Sequence, residues 1–298
     1  MKYTISRRIF IGLMAVISFF VNTTAIPSYK DVPDDAISIV YADTAWGDIK
    51  LFLPETIDMQ KPNDVLLTIH GGAWVSGSAK IFYDDCREAA KAGFIAASMN
   101  YSKIFNGASA ADMVQEVGAA ISALKSDLDK RDIPLGKLIL AGHSAGAHIM
   151  LLYAYTKYEE CPMDIAFVVS NCAPSDFVAT TKMRPSAVGF IAYPLLSALT
   201  KELVTPSTLT RNAKAVRAVT PIALITPFVP PTIVVQGTMD MLIPYQCSVD
   251  LYNALQANSV DSVHITYRGA GHFLGDRFTE GNAARSEAFA RFLEKYGS

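Results

Sequence analysis

Residues 138–150 read LILAGHSAGAHIM, and the fold of the chain turns on how this stretch is understood. An apolar run of strand length ends in Gly142-His143-Ser144-Ala145-Gly146, and a segment of helical character, AGAHIMLLYAYT (145–156), follows at once. A turn joining a buried strand to a helix brings two backbones close together, so its flanking residues must be small. Gly142, Ala145 and Gly146 meet that demand around one hydroxyl. A serine held there adopts a strained conformation with its Oγ presented outward, as a nucleophile requires. On their own the five residues would mark only a tight turn; the strand before them and the helix after them give them meaning.

The chain has 298 residues, 51% of them hydrophobic and 18% charged, enough to bury the core of one large α/β domain or two small ones. A formal net charge of -2 without a basic cluster argues against a nucleic-acid partner. Lys2, Arg7 and Arg8 precede the apolar run IFIGLMAVISFFV (9–21), which is too short to span a bilayer comfortably and closes with Thr23-Thr24-Ala25. Residues 1–25 are therefore expected to be a signal peptide, with an uncleaved anchor as the alternative. Ser6-Arg7-Arg8-Ile9-Phe10-Ile11 resembles a bacterial twin-arginine signal, an address rather than an anchor. The expected product is an exported chain, periplasmic or secreted, with no lasting membrane attachment. Loss of three basic and no acidic residues would take its charge from -2 to -5.

Cys86, Cys161, Cys172 and Cys247 all lie beyond the signal and allow up to two disulfides in an oxidising compartment. Cys172 ends an apolar run and reads better as a buried thiol. No CxxC pair is present, so their spacing fits no zinc pattern.

Apolar runs of strand length recur at 37–42, 48–54, 65–70, 93–100, 137–142, 165–172, 232–237 and 263–269. The first two are close together and partly alternating, as an antiparallel edge pair would be. Several later ones are continuously apolar, the mark of strands covered on both faces. Helical patterns fill 79–92, 109–130, 144–157, 245–257 and 280–296. This alternation predicts a mostly parallel sheet of about eight strands with helices on both faces, its reactive loops at the carboxyl ends of the strands. From about 173 to 231 the alternation stops, and a proline-rich insertion packed over that sheet edge is expected as a cap. Phe190, Tyr193, Phe228 and Tyr245 are candidates for a pocket wall, although core is the commoner place for each.

A serine hydroxyl needs a base. Of the five histidines, His143 sits beside the serine and points wrongly, His148 lies one helical turn on as a core or supporting residue, His70 braces a glycine loop and His264 occupies a strand. His272, in RGAGHFLGD (268–276), lies in a glycine-rich loop after the last strand and is the expected general base and acid. Asp240, in GTMDMLIPY (237–245), is favoured as the carboxylate that orients it; Asp176 is a rival and Asp276 an outsider. IHGGAW (69–74) follows a strand, and the N–H groups of Gly72 and Ala73, with that of Ala145, would form an oxyanion hole.

In the order HGG loop, serine turn, Asp, His, the chain resembles the α/β-hydrolase superfamily over essentially all of residues 26–298. His70-Gly71-Gly72-Ala73-Trp74 and Gly142-His143-Ser144-Ala145-Gly146-Ala147-His148 are similar to the esterase/lipase group related to hormone-sensitive lipase. The resemblance implies a Ser-Asp-His triad, no cofactor, no metal and a small-molecule ester substrate. Two departures stand out. Ala73 replaces a glycine often found there, and the insertion is unusually rich in proline for a small esterase. An amide hydrolase of the same fold (kynurenine formamidase-like, or a serine peptidase) is the alternative enzyme; a non-catalytic binding protein is the alternative outside enzymes.

Overall fold

The computed structural model describes residues 33–177 and 187–298, so the signal expected at 1–25 and part of the insertion lie outside the described residues. Among the described residues one eight-stranded sheet runs through the molecule. Its strands are β1 (Ile37–Val40), β2 (Asp48–Phe52), β3 (Asn63–Ile69), β4 (Ile95–Met99), β5 (Leu135–His143), β6 (Ile165–Asn171), β7 (Thr232–Gly237) and β8 (Ser262–Tyr267). They lie side by side in the order β1-β2-β4-β3-β5-β6-β7-β8. The β1/β2 and β2/β4 pairs are antiparallel and the rest are parallel. The helices are α1 (Tyr83–Lys91), α2 (Ala110–Asp129), α3 (Ala145–Thr156), α4 (Ala187–Thr200), α5 (Ala213–Ala218), α6 (Tyr245–Ala257) and α7 (Thr279–Tyr296). None of them is long and apolar enough to cross a membrane.

The continuous apolar runs now have their cause. In a strand, successive side chains leave on opposite faces. Leu138 and Leu140 of β5, Val168 of β6 and Val234 of β7 enter the core beneath α2, α3 and α6. Ile139, Phe167, Val169, Ile233 and Val235, the residues between and beside them, enter a second core closed by Ala288 and Phe292 of α7. Each buried aliphatic or aromatic side chain contributes about 1.5–3 kcal/mol of transfer free energy. A polar residue on either face of these strands would therefore be costly, which is why no alternation survives in their sequence.

The helix after the serine is an extreme case. Every residue of α3 from Ala145 to Tyr155 is buried, between the sheet, α2 and the turn at Pro221–Leu224. The next helix along the sheet's other neighbours, α2, keeps a solvent face. It is entered through a capping box: Ser109 Oγ accepts from the Asp112 N–H (3.2 Å) and Asp112 Oδ2 accepts from the Ser109 N–H (2.7 Å).

The segment between β6 and β7 is more regular than its sequence suggests. It contributes α4 and α5, which the helical pattern failed to signal. The sequence of α4, AVGFIAYPLLSALT, has no charged face and carries Pro194 inside the helix, so it shows no 3.6-residue contrast. Phe228 is 75% exposed rather than core, whereas Tyr193 packs partly buried against the main core. The Tyr245 hydroxyl pairs with Thr266 Oγ1 at 2.6 Å; the side chain of Phe190 lies outside those described. Among the described residues, no disulfide joins any of the four cysteines.

Candidate active site

β5 delivers Ser144 to the carboxyl edge of the sheet, running one residue past the expected strand end to His143. Ser144 itself has φ 55° and ψ -122°, a region that an L-residue enters only at a cost of about 1–3 kcal/mol. The conformation is held from both sides by Asn171 at the end of β6. Its carbonyl accepts the Ser144 N–H (2.9 Å) and its Nδ2 donates to the Gly142 carbonyl (3.0 Å). The small residues are sterically required. A Cβ on Gly142 would lie 2.7 Å from Ala147 Cα, and one on Gly146 would collide with the carbonyls of Ile69 and His70.

Asp240 and His272 come from the loops after β7 and β8, neighbouring parallel strands whose carboxyl ends necessarily coincide. His272 Nδ1 donates to Asp240 Oδ2 at 2.7 Å, with the imidazole 5% exposed and the carboxylate not at all. Asp240, rather than Asp176 or Asp276, is thus the partner of His272. Its other lone pairs are also filled: Oδ1 accepts from the N–H groups of Leu242 (2.8 Å) and Ile243 (2.9 Å), and Oδ2 also from Gln236 Nε2 (2.7 Å). A buried carboxylate with this many donors is fixed in its orientation.

His143 turns away from the serine, as expected, and does something the sequence did not signal. Its Nε2–H donates to the His272 carbonyl (2.8 Å), and the two rings lie 4.8 Å apart. The residue preceding the serine therefore ties down the loop that carries the histidine. Phe273, 71% exposed, stacks on His143 with centroids 5.8 Å apart. Cys172, also with positive φ at 51°, buries its thiol against Asp240; burial first, then that carboxylate's charge, push the thiol's pKa well above its usual range. His143, Cys172 and His272 place three potential metal ligands within 4.8 Å of one another. Of these, His143 Nε2 donates to the His272 carbonyl and His272 Nδ1 to Asp240.

The HGG loop lies across the turn from β5. A Cβ on Gly71 would sit 3.1 Å from Ser144 Cβ, so the backbone passes directly beside the serine. Gly72 has φ +120°, and Ala73 (52°) and Trp74 (61°) are also left-handed, which bends the loop sharply. The Gly72 carbonyl is held by the N–H groups of Val75 and Ser76 (both 3.0 Å) and by Ser76 Oγ (3.2 Å). In a trans peptide the N–H points opposite to the carbonyl, so this arrangement turns the Ala73 N–H the other way. Among the described residues no acceptor in the chain takes the N–H of Gly72, Ala73 or Ala145. Ala145 also opens α3, whose aligned peptides add positive potential at that end.

The remaining histidines support the frame. His148 Nε2–H donates to the Val219 carbonyl (2.8 Å), while Nδ1 has no partner among the described residues, in an aromatic cluster with Trp74 and Phe177. His264 meets Ser248 Oγ at 2.9 Å. Burial lowers the pKa of both His143 and His148 to about 4, and drives that of His70 well below its usual value. In the unfolded chain these rings take up protons from about pH 6.5 downward, while the folded chain refuses them. Their contribution is complete above about pH 6.5 and is lost as pH falls towards 4, on the order of 3 kcal/mol for each of the two. The urea midpoint is expected to fall steeply between pH 6.5 and 4; a midpoint independent of pH across that window would contradict the assignment.

Comparison with known proteins bears on the same residues. The family model BD-FAE matches residues 49–255, which include the HGG loop, Ser144 and Asp240. Esterase LipC of Mycobacterium tuberculosis is 28% identical over 224 residues, 71% of this chain and 53% of that protein. Isoprenylcysteine alpha-carbonyl methylesterase ICME of Arabidopsis thaliana is 31% identical over 112 residues, 38% of this chain and 26% of that protein. The chain therefore spans about half the length of the first of these relatives and about a quarter of the second. Esterase B of Lactobacillus rhamnosis shares the fold with a TM-score of 0.76 at 18% identity, over 97% of this chain and 98% of its own.

Proposed function

The chain belongs to the BD-FAE family, in the esterase/lipase group of α/β-hydrolases related to hormone-sensitive lipase, and on that premise we propose that it is a serine carboxylic-ester hydrolase. Its substrate is an ester with a small or medium acyl group. The observation that carries this reading is the buried His272–Asp240 pair, tied by His143 to the strained turn that presents Ser144. The names of its relatives, an esterase and a methylesterase, support the same bond type.

The proposed chemistry assigns each of these residues a role. Ser144 Oγ attacks the ester carbonyl carbon as His272 Nε2 takes its proton. Asp240 keeps the other ring proton on Nδ1, so that Nε2 is bare when the serine needs it, and stabilises the imidazolium that forms. The N–H groups of Gly72, Ala73 and Ala145 receive the developing oxyanion, each such donor being worth about 3 kcal/mol of barrier. His272 then protonates the departing alcohol. Water, deprotonated by the same ring, releases the acyl group and restores the serine.

The test is hydrolysis of 4-nitrophenyl acetate, butyrate and octanoate by the purified protein, with mass analysis after an alkyl phosphonate. Turnover with one phosphonyl group on Ser144 is expected. Cleavage of formamides or peptide bonds in place of esters would reassign the chain to amide hydrolysis; neither turnover nor labelling would leave a binding protein on this fold.

A further inference from the structure

A lysine is buried behind the HGG loop. Lys103 is only 2% exposed, and its Nζ lies 3.6 Å from the centroid of the Tyr101 ring and 4.9 Å from that of Trp46. Burying an ammonium stem and head in such a place is expensive unless the nitrogen is used. The carboxylate whose charge acts on it, Glu116 of α2, is occupied by the N–H and Oγ of Ser102 (2.8 and 2.5 Å). Its hydrogen-bond partner is His70: Nζ to Nε2, 3.1 Å.

That contact has a downstream consequence. His70 Nδ1 lies 2.6 Å from the Gly71 carbonyl, which can only accept. With Lys103 donating at Nε2 and a carbonyl waiting at Nδ1, one tautomer satisfies both ends: Nδ1 carries the proton and donates to Gly71. The Gly71 carbonyl is thereby held at the Nδ1 edge of the His70 ring, and the N–H of the same peptide, that of Gly72, is turned the opposite way, in a loop whose Gly71 passes beside Ser144. Tyr101 reinforces the frame, its hydroxyl donating to the His70 carbonyl (2.9 Å) and its ring stacking on His70 at 4.5 Å.

We infer that Lys103 is a positioning residue for the oxyanion hole, acting through His70 and the Gly71 carbonyl to aim the Gly72 N–H. The role survives whichever protonation state the lysine holds, since a neutral amine still donates. It rests on the acyl-transfer reading above for its catalytic meaning, and on the hydrogen-bond chain alone for its structure.

The deciding variant is Lys103→Met, which keeps the stem against the two rings and removes the donor. Complete loss of one oxyanion donor costs about 10²–10³ in kcat. Misaiming one is expected to lower kcat for 4-nitrophenyl butyrate about tenfold or more with KM unchanged. Affinity for phenylboronic acid, which forms a tetrahedral adduct on the serine, should fall by the same factor. Combined with His70→Leu, the double variant should be no slower than the slower single one. An unchanged kcat, an effect confined to KM and Tm, or losses that multiply in the double variant would each overturn the inference. Imidazole 15N spectra of the full chain give a reading independent of turnover. His70 neutral with its proton on Nδ1 supports the chain even if the wild type cleaves no ester; a proton on Nε2 refutes it.

Discussion

Replacing Ser144 by alanine is expected to lower kcat for 4-nitrophenyl butyrate by about 10⁴–10⁶, with Tm changed by only a few degrees. The size of the loss follows from the roles of the neighbours. Without Oγ, neither the His272–Asp240 pair nor the oxyanion donors has a covalent step to assist, and only binding and field effects on water attack remain. The small thermal effect follows from the backbone. At φ 55° a Cβ is strained whether it carries a hydroxyl or not, so alanine inherits the strain that serine already bears. Rates from steady-state kinetics beside a thermal melt decide the matter: a variant that keeps more than about one-hundredth of wild-type activity would place the nucleophile elsewhere.

The second large effect is expected of Asp240→Asn, about 10⁴ in kcat by analogy with removal of this charge in other triads. The surroundings dictate how the new amide must sit. Oδ1 faces the N–H groups of Leu242 and Ile243, so the amide oxygen stays there and the new NH₂ takes the place of Oδ2. It then confronts Gln236 and His272. Turning the Gln236 amide over would offer Oε1 to the new NH₂ but would give up the Nε2 bond to the Ile243 carbonyl (3.1 Å), so the exchange costs one hydrogen bond on that side. His272 can only respond by giving up its Nδ1 proton, which moves to Nε2 and blocks the base function. The variant should therefore fold and bind substrate yet turn over slowly. A kcat within tenfold of wild type would show that Asp240 is not the orienting acid.

Much of this is legible in the sequence. The central strands follow from runs such as LILAG and TIVVQG, because a parallel sheet covered on both faces leaves them uniformly apolar, and the antiparallel edge pair follows from its partial alternation. Strand ends and chain order point to Ser144, Asp240 and His272 as candidates, with Asp176 after β6 a rival to Asp240 by the same rule. Contacts made across strands left no local trace: Asn171 clamping the turn, Gln236 beneath Asp240, His143 reaching the His272 carbonyl, Lys103 behind His70. Each joins residues 29 or more apart in the chain, except Gln236, whose polar side chain in an otherwise apolar strand was the one available cue. Helix α4 escaped notice for the opposite reason, having no polar face to contrast with its apolar one.

Helix α3, buried from Ala145 to Tyr155, has a bearing on how the molecule comes apart. A helix with a wet face can fray or detach while its neighbours hold. This one cannot leave without opening the layer on each side of it, so its amide protons should exchange with solvent only in the rare events that dissolve the whole domain. The serine sits at its first turn. On the proposed reading, Ser144 keeps its setting only while this helix stays packed, so activity is expected to decay at the rate at which the fold itself is lost.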